Sequence, residues 1–260
     1  MRWSPVVLVL ALVACDSGKP AEPVKGGNPT TGGGGGGGAA PTPIDPATVG
    51  AFKGKVTFEG TPPKDKKIPV EADPYCGSQH PDGFMSEVYK IGAGGEMANV
   101  FVWIKKGLDG RTFAAPKQPA VLDQVGCRYE PHVLGLMVGQ PLLIRNSDET
   151  MHNVHALPTI NADFNFSQAK KGMENTKMFS SQEVMVKVKC DVHGWMGAWV
   201  GVVGHPYFTV TGATGGFELK DVPPGEYEIE AWHEKFGSSV QKVTLGARES
   251  KEITFTFKAR

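Results

Sequence analysis

The sequence predicts an all-β protein of the sandwich type. Apolar residues recur at every second position in six segments, and no stretch combines helical periodicity with capping residues. Glycine- and proline-rich turn signals separate these segments, for example at 94–95 and 215–216. The six predicted strands are residues 55–58, 99–104, 140–145, 183–189, 226–232 and 251–257.

The alternation gives each predicted strand one apolar face, which has to be buried against another layer. In the strand 226–232, Tyr227, Ile229 and Ala231 alternate with three glutamates. The strand 183–189 places three valines on one side in the same way. Faces of this kind are typical of packed β-sheets.

The composition is that of an ordinary globular protein rather than of a nucleic-acid-binding one. The chain has 260 residues, of which 40% are hydrophobic and 21% are charged. This length allows one or two domains with cores of their own. Lys and Arg together number 27, and so do Asp and Glu. Because neither a net charge nor a basic stripe attracts a polyanion, we expect no nucleic-acid partner.

Residues 1–15 predict a lipoprotein signal peptide. Arg2 precedes the apolar run 6–13, which is too short to span a bilayer. The run ends in Leu-Val-Ala-Cys, which resembles the bacterial lipobox, in which the cysteine, here Cys15, is diacylated. An ordinary secretory signal with a stray cysteine is the alternative. The resemblance implies an extracytoplasmic protein, lipid-anchored to a bacterial membrane and facing the periplasm or the cell surface.

Residues 16–49 are predicted to be a flexible tether between the lipid and the folded region. The glycine run 32–38 lies in a stretch rich in Pro, Gly, Ala and Thr, which buries too little apolar surface to fold. As a flexible coil the tether reaches roughly 30 Å from the membrane. We expect the folded part to begin near Val49, in an oxidising compartment.

One short segment carries the residues of a metal site. Cys190, His193 and Met196 have the form C-x2-H-x2-M, directly after the predicted strand 183–189. Thiolate, imidazole and thioether are ligands that copper prefers, and chance gives this triple only about 0.004 times in such a chain. A mononuclear blue-copper site needs a second histidine from a neighbouring strand, and the segment 151–155, which contains His152 and His155, supplies it.

Together with their surroundings, these residues resemble the cupredoxins, and most of all the amicyanins, over about residues 119–206. The features that carry the resemblance are Tyr129-x-Pro131, Gly139 before a strand, Asn146 at its end, the tetrapeptide His152-Asn153-Val154-His155 and the C-x2-H-x2-M loop. It implies one type 1 copper ion held by His152, Cys190, His193 and Met196, with the methionine as the weak axial ligand. It also implies single-electron transfer to a redox partner protein.

The ligands, the metal and the type of site each have an alternative. His155 is expected to point away from the metal, because residues three apart on a strand face opposite sides. Val188 differs from the aromatic residue that many cupredoxins carry at that place. Zinc is the competing metal, although a methionine ligand favours copper. Because the loop holds one cysteine and the chain has no H-x-H pair, we expect neither a binuclear site nor an oxidase, and no enzyme.

The two remaining cysteines, Cys76 and Cys127, are predicted to form a disulfide, since extracytoplasmic cysteine pairs are usually bridged. The alternative is a second metal site in which Cys76 with His80 and Cys127 with His132 converge. Both histidines neighbour prolines in predicted loops, which favours the disulfide.

The C-terminal segment resembles the carboxypeptidase regulatory-like (transthyretin-like) β-sandwich. It contains the patterns G-x-F-x-L at 215–219 and P-x-G-x-Y at 223–227, and Gly54-Lys55-Val56 matches the usual opening G-x-V. The opening motif lies far from the other two in sequence, on the other side of the cupredoxin-like segment.

We therefore expect a split regulatory-like sandwich, residues 50–118 and 207–260, with a cupredoxin Greek-key sandwich, residues 119–206, inserted into it. Two adjacent tandem domains are the alternative. Three functions remain open: single-electron transfer, copper binding for sensing, storage or delivery, and a surface interaction module with vestigial copper.

Overall fold

A computed structural model describes residues 40–259. The predicted signal peptide with Cys15, and the part of the predicted tether before residue 40, lie outside the described residues. Within the described range, no helix is long and apolar enough to cross a membrane.

Strands dominate the described residues, as the alternating pattern predicts. The first nine strands are β1 (Gly50–Glu59), β2 (Lys67–Ile68), β3 (Phe84–Met85), β4 (Phe101–Lys106), β5 (Ala120–Gln124), β6 (Tyr129–Glu130), β7 (Val133–Met137), β8 (Leu142–Asn146) and β9 (His152–Leu157). The other strands are β10 (Phe164–Gln168), β11 (Glu174–Lys177), β12 (Glu183–Lys189), β13 (Gly197–Val203), β14 (Phe208–Val210), β15 (Gly216–Val222), β16 (Gly225–His233), β17 (Gly237–Leu245) and β18 (Ser250–Lys258). The predicted all-β class is confirmed.

The first sandwich is built from strands at both ends of the described range. In one sheet β1 lies between β15, which is antiparallel to it, and β18, which is parallel. In the other sheet the order is β14, β4, β16, β17. Phe52, Ile104, Leu219 and Phe255 are among the fully or almost fully buried residues of the core between these sheets.

The second sandwich contains the strands from β5 to β13. Its larger sheet has the order β10, β9, β12, β13, β7, and its smaller sheet has the order β11, β8, β5, β6. Tyr129, Ile144 and Val154 lie in the core between them. Cys190 and Met196 belong to the same core. Two of the predicted metal ligands therefore belong to the apolar core of the second sandwich.

A buried apolar contact joins the two sandwiches. Phe101 and Trp103 on β4 pack with Val133 on β7 and Val203 on β13. The approach is so close that a Cβ added at Gly201 would lie 2.6 Å from the Phe101 ring. The outer face of the sheet that contains β4 is therefore covered by the second sandwich.

Residues 67–85, which we call the cap, contain β2, β3 and the short helix α1 (Pro74–Gln79). The sequence pattern predicts no helix here, because six residues are too few to show a helical period. The local start signal is nevertheless present. Asp73 is the N-cap and accepts a hydrogen bond from the Cys76 backbone N–H, and Pro74 occupies the first turn.

Candidate metal centre

The second sandwich brings the predicted metal ligands to one end of its larger sheet. His152 is the first residue of β9, and Cys190 follows the last residue of β12. His193 and Met196 lie in the loop between β12 and β13. Because β9 and β12 are antiparallel neighbours, the end of β12 lies beside the beginning of β9.

The donor atoms of three of these residues converge on one point. His152 Nδ1 lies 3.0 Å from His193 Nδ1, and Cys190 Sγ lies 3.8 Å from His193 Nδ1. The two imidazoles and the thiol offer ligand atoms that all fall within 4.8 Å of one another. All three side chains are buried. Two imidazole nitrogens and one sulfur, facing each other inside the protein, suit a soft or borderline cation.

The Cys190 sulfur is surrounded by hydrogen-bond donors. The backbone N–H groups of Asn153 and His193 each donate to Sγ at 3.3 Å. Burial on its own would raise the pKa of the thiol, but the bonds from His152, His193 and these amides lower the pKa to about 6. Because the thiolate is the form that binds metal, the site favours metal binding near neutral pH.

Met196 closes the ligand loop. Its backbone N–H donates to the His193 carbonyl at 2.9 Å, and its own carbonyl accepts from the Cys190 N–H at 3.2 Å. The side chain is 2% exposed and lies in the same apolar core as Cys190. The loop therefore holds a buried thioether in the same core as the Cys190 side chain.

Each of the two histidines donates its outer N–H to an aspartate. His152 Nε2 lies 2.8 Å from Asp148 Oδ2, and His193 Nε2 lies 3.2 Å from Asp73 Oδ2. Because each aspartate keeps a proton on Nε2, Nδ1 is the nitrogen that would give its lone pair to a metal ion, once it has lost any proton that it donates to Cys190. Both rings are thereby fixed in the tautomer that a metal ion at this point requires.

These hydrogen bonds also keep the aspartates ionised. Burial alone would raise the pKa of Asp148, but bonds from His152 and from the backbone N–H groups of Cys127 and Gly126 hold the pKa below its usual value. The pKa of Asp73 is lowered in the same way, against its burial, by bonds from Cys76, His193 and Thr150. The two histidines in turn have raised pKa values: burial opposes protonation, but their hydrogen-bond partners outweigh it.

Neither aspartate is among the residues predicted from the sequence. Asp148 lies four residues before His152, in the turn after β8, so its closeness in sequence could have indicated it as a partner of His152. Asp73 is separated from His193 by 120 positions, and no spacing rule connects residues so far apart. Only the fold of the cap brings Asp73 to the site.

The other predicted site residues lie around this cluster. His155 Nδ1 lies 2.8 Å from Asp191 Oδ2 and is not one of the converging donors. Cys76 and Cys127 form a disulfide. Of the two histidines in the alternative second metal site, His80 donates its Nε2–H to the Gly126 carbonyl and His132 contacts Glu234. Neither joins a group of potential metal donors among the described residues.

Trp195 packs against the His193 ring. The two ring centroids are 4.9 Å apart, and the indole N–H donates to the Cys127 carbonyl at 3.1 Å. A surface groove of about 430 Å³ runs past this indole and past Cys190 and Met196. The basic residues along the groove are Arg128, Lys187, Lys189 and Lys235.

Fold and site together define an all-β protein with a buried His2Cys donor set. A sequence profile of the carboxypeptidase regulatory-like domain family matches residues 194–258, which confirms the predicted resemblance of the C-terminal segment. The match begins inside the ligand loop, before the boundary predicted at 207. No curated protein matches the chain.

Cupredoxins are among the solved structures that are similar to the chain, as the sequence resemblance predicts. A purple cupredoxin from Nitrosopumilus maritimus is 21% identical over 32% of this chain and 98% of its own, with a TM-score of 0.28. An amicyanin variant in its Cu(I) form is 22% identical over 39% of this chain and 97% of its own, with a TM-score of 0.29. A copper-containing nitrite reductase from Thermus scotoductus SA-01 is 20% identical over 37% of this chain and 24% of its own, with a TM-score of 0.30.

Proposed function

We propose that the chain binds one copper ion at His152, Cys190, His193 and Met196 and carries single electrons. The observation that carries the proposal is the convergence of three buried donor atoms, with 3.0 Å between the two Nδ1 atoms. The metal assignment rests on this donor set and not on the neighbouring structures. Copper, when bound here, supplies a one-electron couple.

The chemistry of the residues favours copper over zinc. A Cys/His set is also used by structural zinc, which completes a tetrahedron with further Cys or His ligands. Here the residue that closes the loop is the buried Met196, and thioether sulfur is a soft ligand that copper accepts. The lowered pKa of Cys190, about 6, provides the thiolate.

The burial of the site supports an electron carrier rather than an enzyme. His152 is 0% exposed, and Cys190, His193 and Met196 are each 2% exposed. A substrate needs an open position beside the metal, whereas an electron does not. The fixed hydrogen bonds of both imidazoles keep the same donor arrangement in both oxidation states, which a carrier requires.

The proposed setting is an extracytoplasmic membrane surface. The lipobox-like sequence ending at Cys15 and the glycine-rich tether support a lipid anchor facing the periplasm or the cell surface. The proposed partner is a redox protein that reaches the groove beside Trp195.

The proposal is tested on the full-length chain, purified in detergent and loaded with Cu(II). One copper per chain and an intense thiolate-to-Cu(II) absorption band are expected. Cys190→Ser should abolish the band, whereas the matched control His155→Ala should keep it, because His155 bonds to Asp191 instead. A fully loaded but colourless protein overturns the type 1 site.

Voltammetry on the same sample separates the proposed carrier from the alternative. A reversible one-electron wave supports electron transfer. Copper that does not cycle, but passes readily to a chelator, overturns the carrier and favours sensing, storage or delivery.

A further inference from the structure

We propose that Asp73, held by the cap, is a positioning residue for His193. This inference rests on the copper site proposed above and extends it. It adds a residue that lies before every strand of the second sandwich in sequence, and that neither the C-x2-H-x2-M loop nor its neighbours supply.

The Asp73 carboxylate is fixed by three partners. Oδ2 accepts from His193 Nε2 at 3.2 Å and from the Thr150 hydroxyl at 3.1 Å, and Oδ1 accepts from the Cys76 N–H at 2.9 Å. The His193 side chain is 3% exposed and that of Asp73 is 19% exposed. The bond to His193 is thus largely shielded from water, which strengthens it.

Two contacts close to Asp73 attach the cap to the second sandwich. Cys76, three residues after Asp73, forms a disulfide with Cys127. Both cysteines are fully buried in one cluster with Val70. The Tyr75 hydroxyl donates to Asp148 Oδ1 at 3.4 Å, so the cap also contacts the aspartate that holds His152. Asp73 therefore has a fixed position rather than a place on a free loop.

A carboxylate bound to Nε2 changes the basicity of His193 Nδ1 as a metal ligand. The bond fixes the ring orientation and the Nε2–H tautomer, and it makes the imidazole more basic. A more basic imidazole stabilises Cu(II) more than Cu(I), because the higher charge gains more from electron donation. Removing the carboxylate should weaken copper binding and raise the reduction potential.

Three variants of the full-length chain separate this role from the capping of α1. Asp73→Ser keeps a good N-cap but is too short to reach His193. Asp73→Asn keeps both the cap and an oxygen acceptor but removes the charge. Asp82→Ser, at an exposed position of the same cap, is the matched control.

Asp73→Ser should lower Cu(II) affinity 10- to 100-fold, which is about the effect of losing an outer partner of a ligating histidine. A tenfold loss confined to Cu(II) raises the reduction potential by about 59 mV. Asp73→Asn should fall between wild type and Asp73→Ser, and Asp82→Ser should equal wild type. In the copper-free chain, ¹⁵N NMR should show the Nε2–H tautomer of His193 in wild type and a tautomer mixture in Asp73→Ser.

If Asp73→Ser keeps wild-type affinity, potential and tautomer, Asp73 only caps the helix and the inference is wrong. The failure of the proposed function looks different. Wild type would then lack the thiolate-to-Cu(II) band, while the tautomer measurement on copper-free protein would still decide whether Asp73 positions His193.

Discussion

Glu183 is a buried carboxylate at the start of β12 that holds the loop 159–161. Its two oxygens accept hydrogen bonds from the backbone N–H groups of Thr159, Ile160 and Asn161, and from the side chains of Thr159 and Asn161. Burial alone would raise the pKa of this carboxyl, but the hydrogen bonds lower the pKa to about 2. The charge is thus used to order a loop.

Glu183→Gln should destabilise the fold, because an amide nitrogen would face N–H groups that now meet an oxygen. We expect a loss of about 1–3 kcal/mol in the free energy of unfolding at neutral pH. Since the folded pKa of about 2 lies below the ordinary 4.5, the wild-type advantage is complete above pH 4.5 and declines as the pH falls towards 2. Urea unfolding at pH 7 and pH 3 measures this difference.

The exposed Glu226 provides the control for this measurement. Glu226→Gln should leave the unfolding midpoint unchanged at both pH values. A Glu183→Gln variant as stable as wild type at pH 7 would show that the loop does not depend on the carboxylate.

Single residues also show how far sequence reasoning reaches. Cys190, His193 and Met196 are predictable because three ligand types occur at a fixed short spacing, and His152 because its tetrapeptide resembles that of the cupredoxins. Asp73 was missed because its partner is 120 positions away. Local spacing identifies donors in one loop, whereas the hydrogen-bond partners behind them depend on the tertiary fold.

At the scale of elements, β1 lies close to both of its neighbouring strands at a glycine, where no side chain keeps the backbones apart. Gly54 pairs with Phe217 on β15 and with Ile253 on β18. A Cβ added at Gly54 would lie 1.7 Å from the Ile253 carbonyl oxygen. The glycine of the G-x-V motif therefore permits a close approach of two backbones.

Gly54→Ala should force β1 and β18 apart and lower the free energy of unfolding by about 1–3 kcal/mol or more. Gly212→Ala is the matched control, because an added Cβ there has no neighbour within 4 Å. Urea denaturation of both variants checks the expectation. Equal midpoints for the two would mean that the sheet adjusts freely at Gly54.

Each of the six predicted strands overlaps an observed strand, but the burial of a polar face was not predictable from the pattern. The predicted strand 226–232 corresponds to β16, with Tyr227, Ile229 and Ala231 buried as the alternation requires. Glu230 on the other face is also buried, because Lys105 and Ser238 bind its carboxylate. The pattern shows one apolar face but gives no sign that a neighbouring layer will cover the polar face.

At the scale of the whole molecule, the order of strand pairing separates the two sandwiches. β1 has its partners in β15 and β18, and β4 has its partners in β14 and β16. Within the described residues, the strands from β5 to β13 pair only among themselves. The insertion boundaries stay a prediction, and the contact of Phe101 with Gly201 means that each sandwich also covers a face of the other.

Truncation after residue 206 is the sharpest test of the inserted arrangement. It keeps every proposed copper ligand but removes both partners of β1, so that Phe52, Val56 and Phe58 lose their burial. Each of these side chains costs about 1.5–3 kcal/mol when it is exposed. We expect a protein that aggregates or unfolds without cooperativity, as measured by calorimetry, whereas a chain beginning at residue 40 should unfold like the full-length chain. If the truncated chain unfolds cooperatively and binds copper as well as the full-length chain does, β1 and β4 do not depend on the C-terminal strands, and the two domains are arranged in tandem.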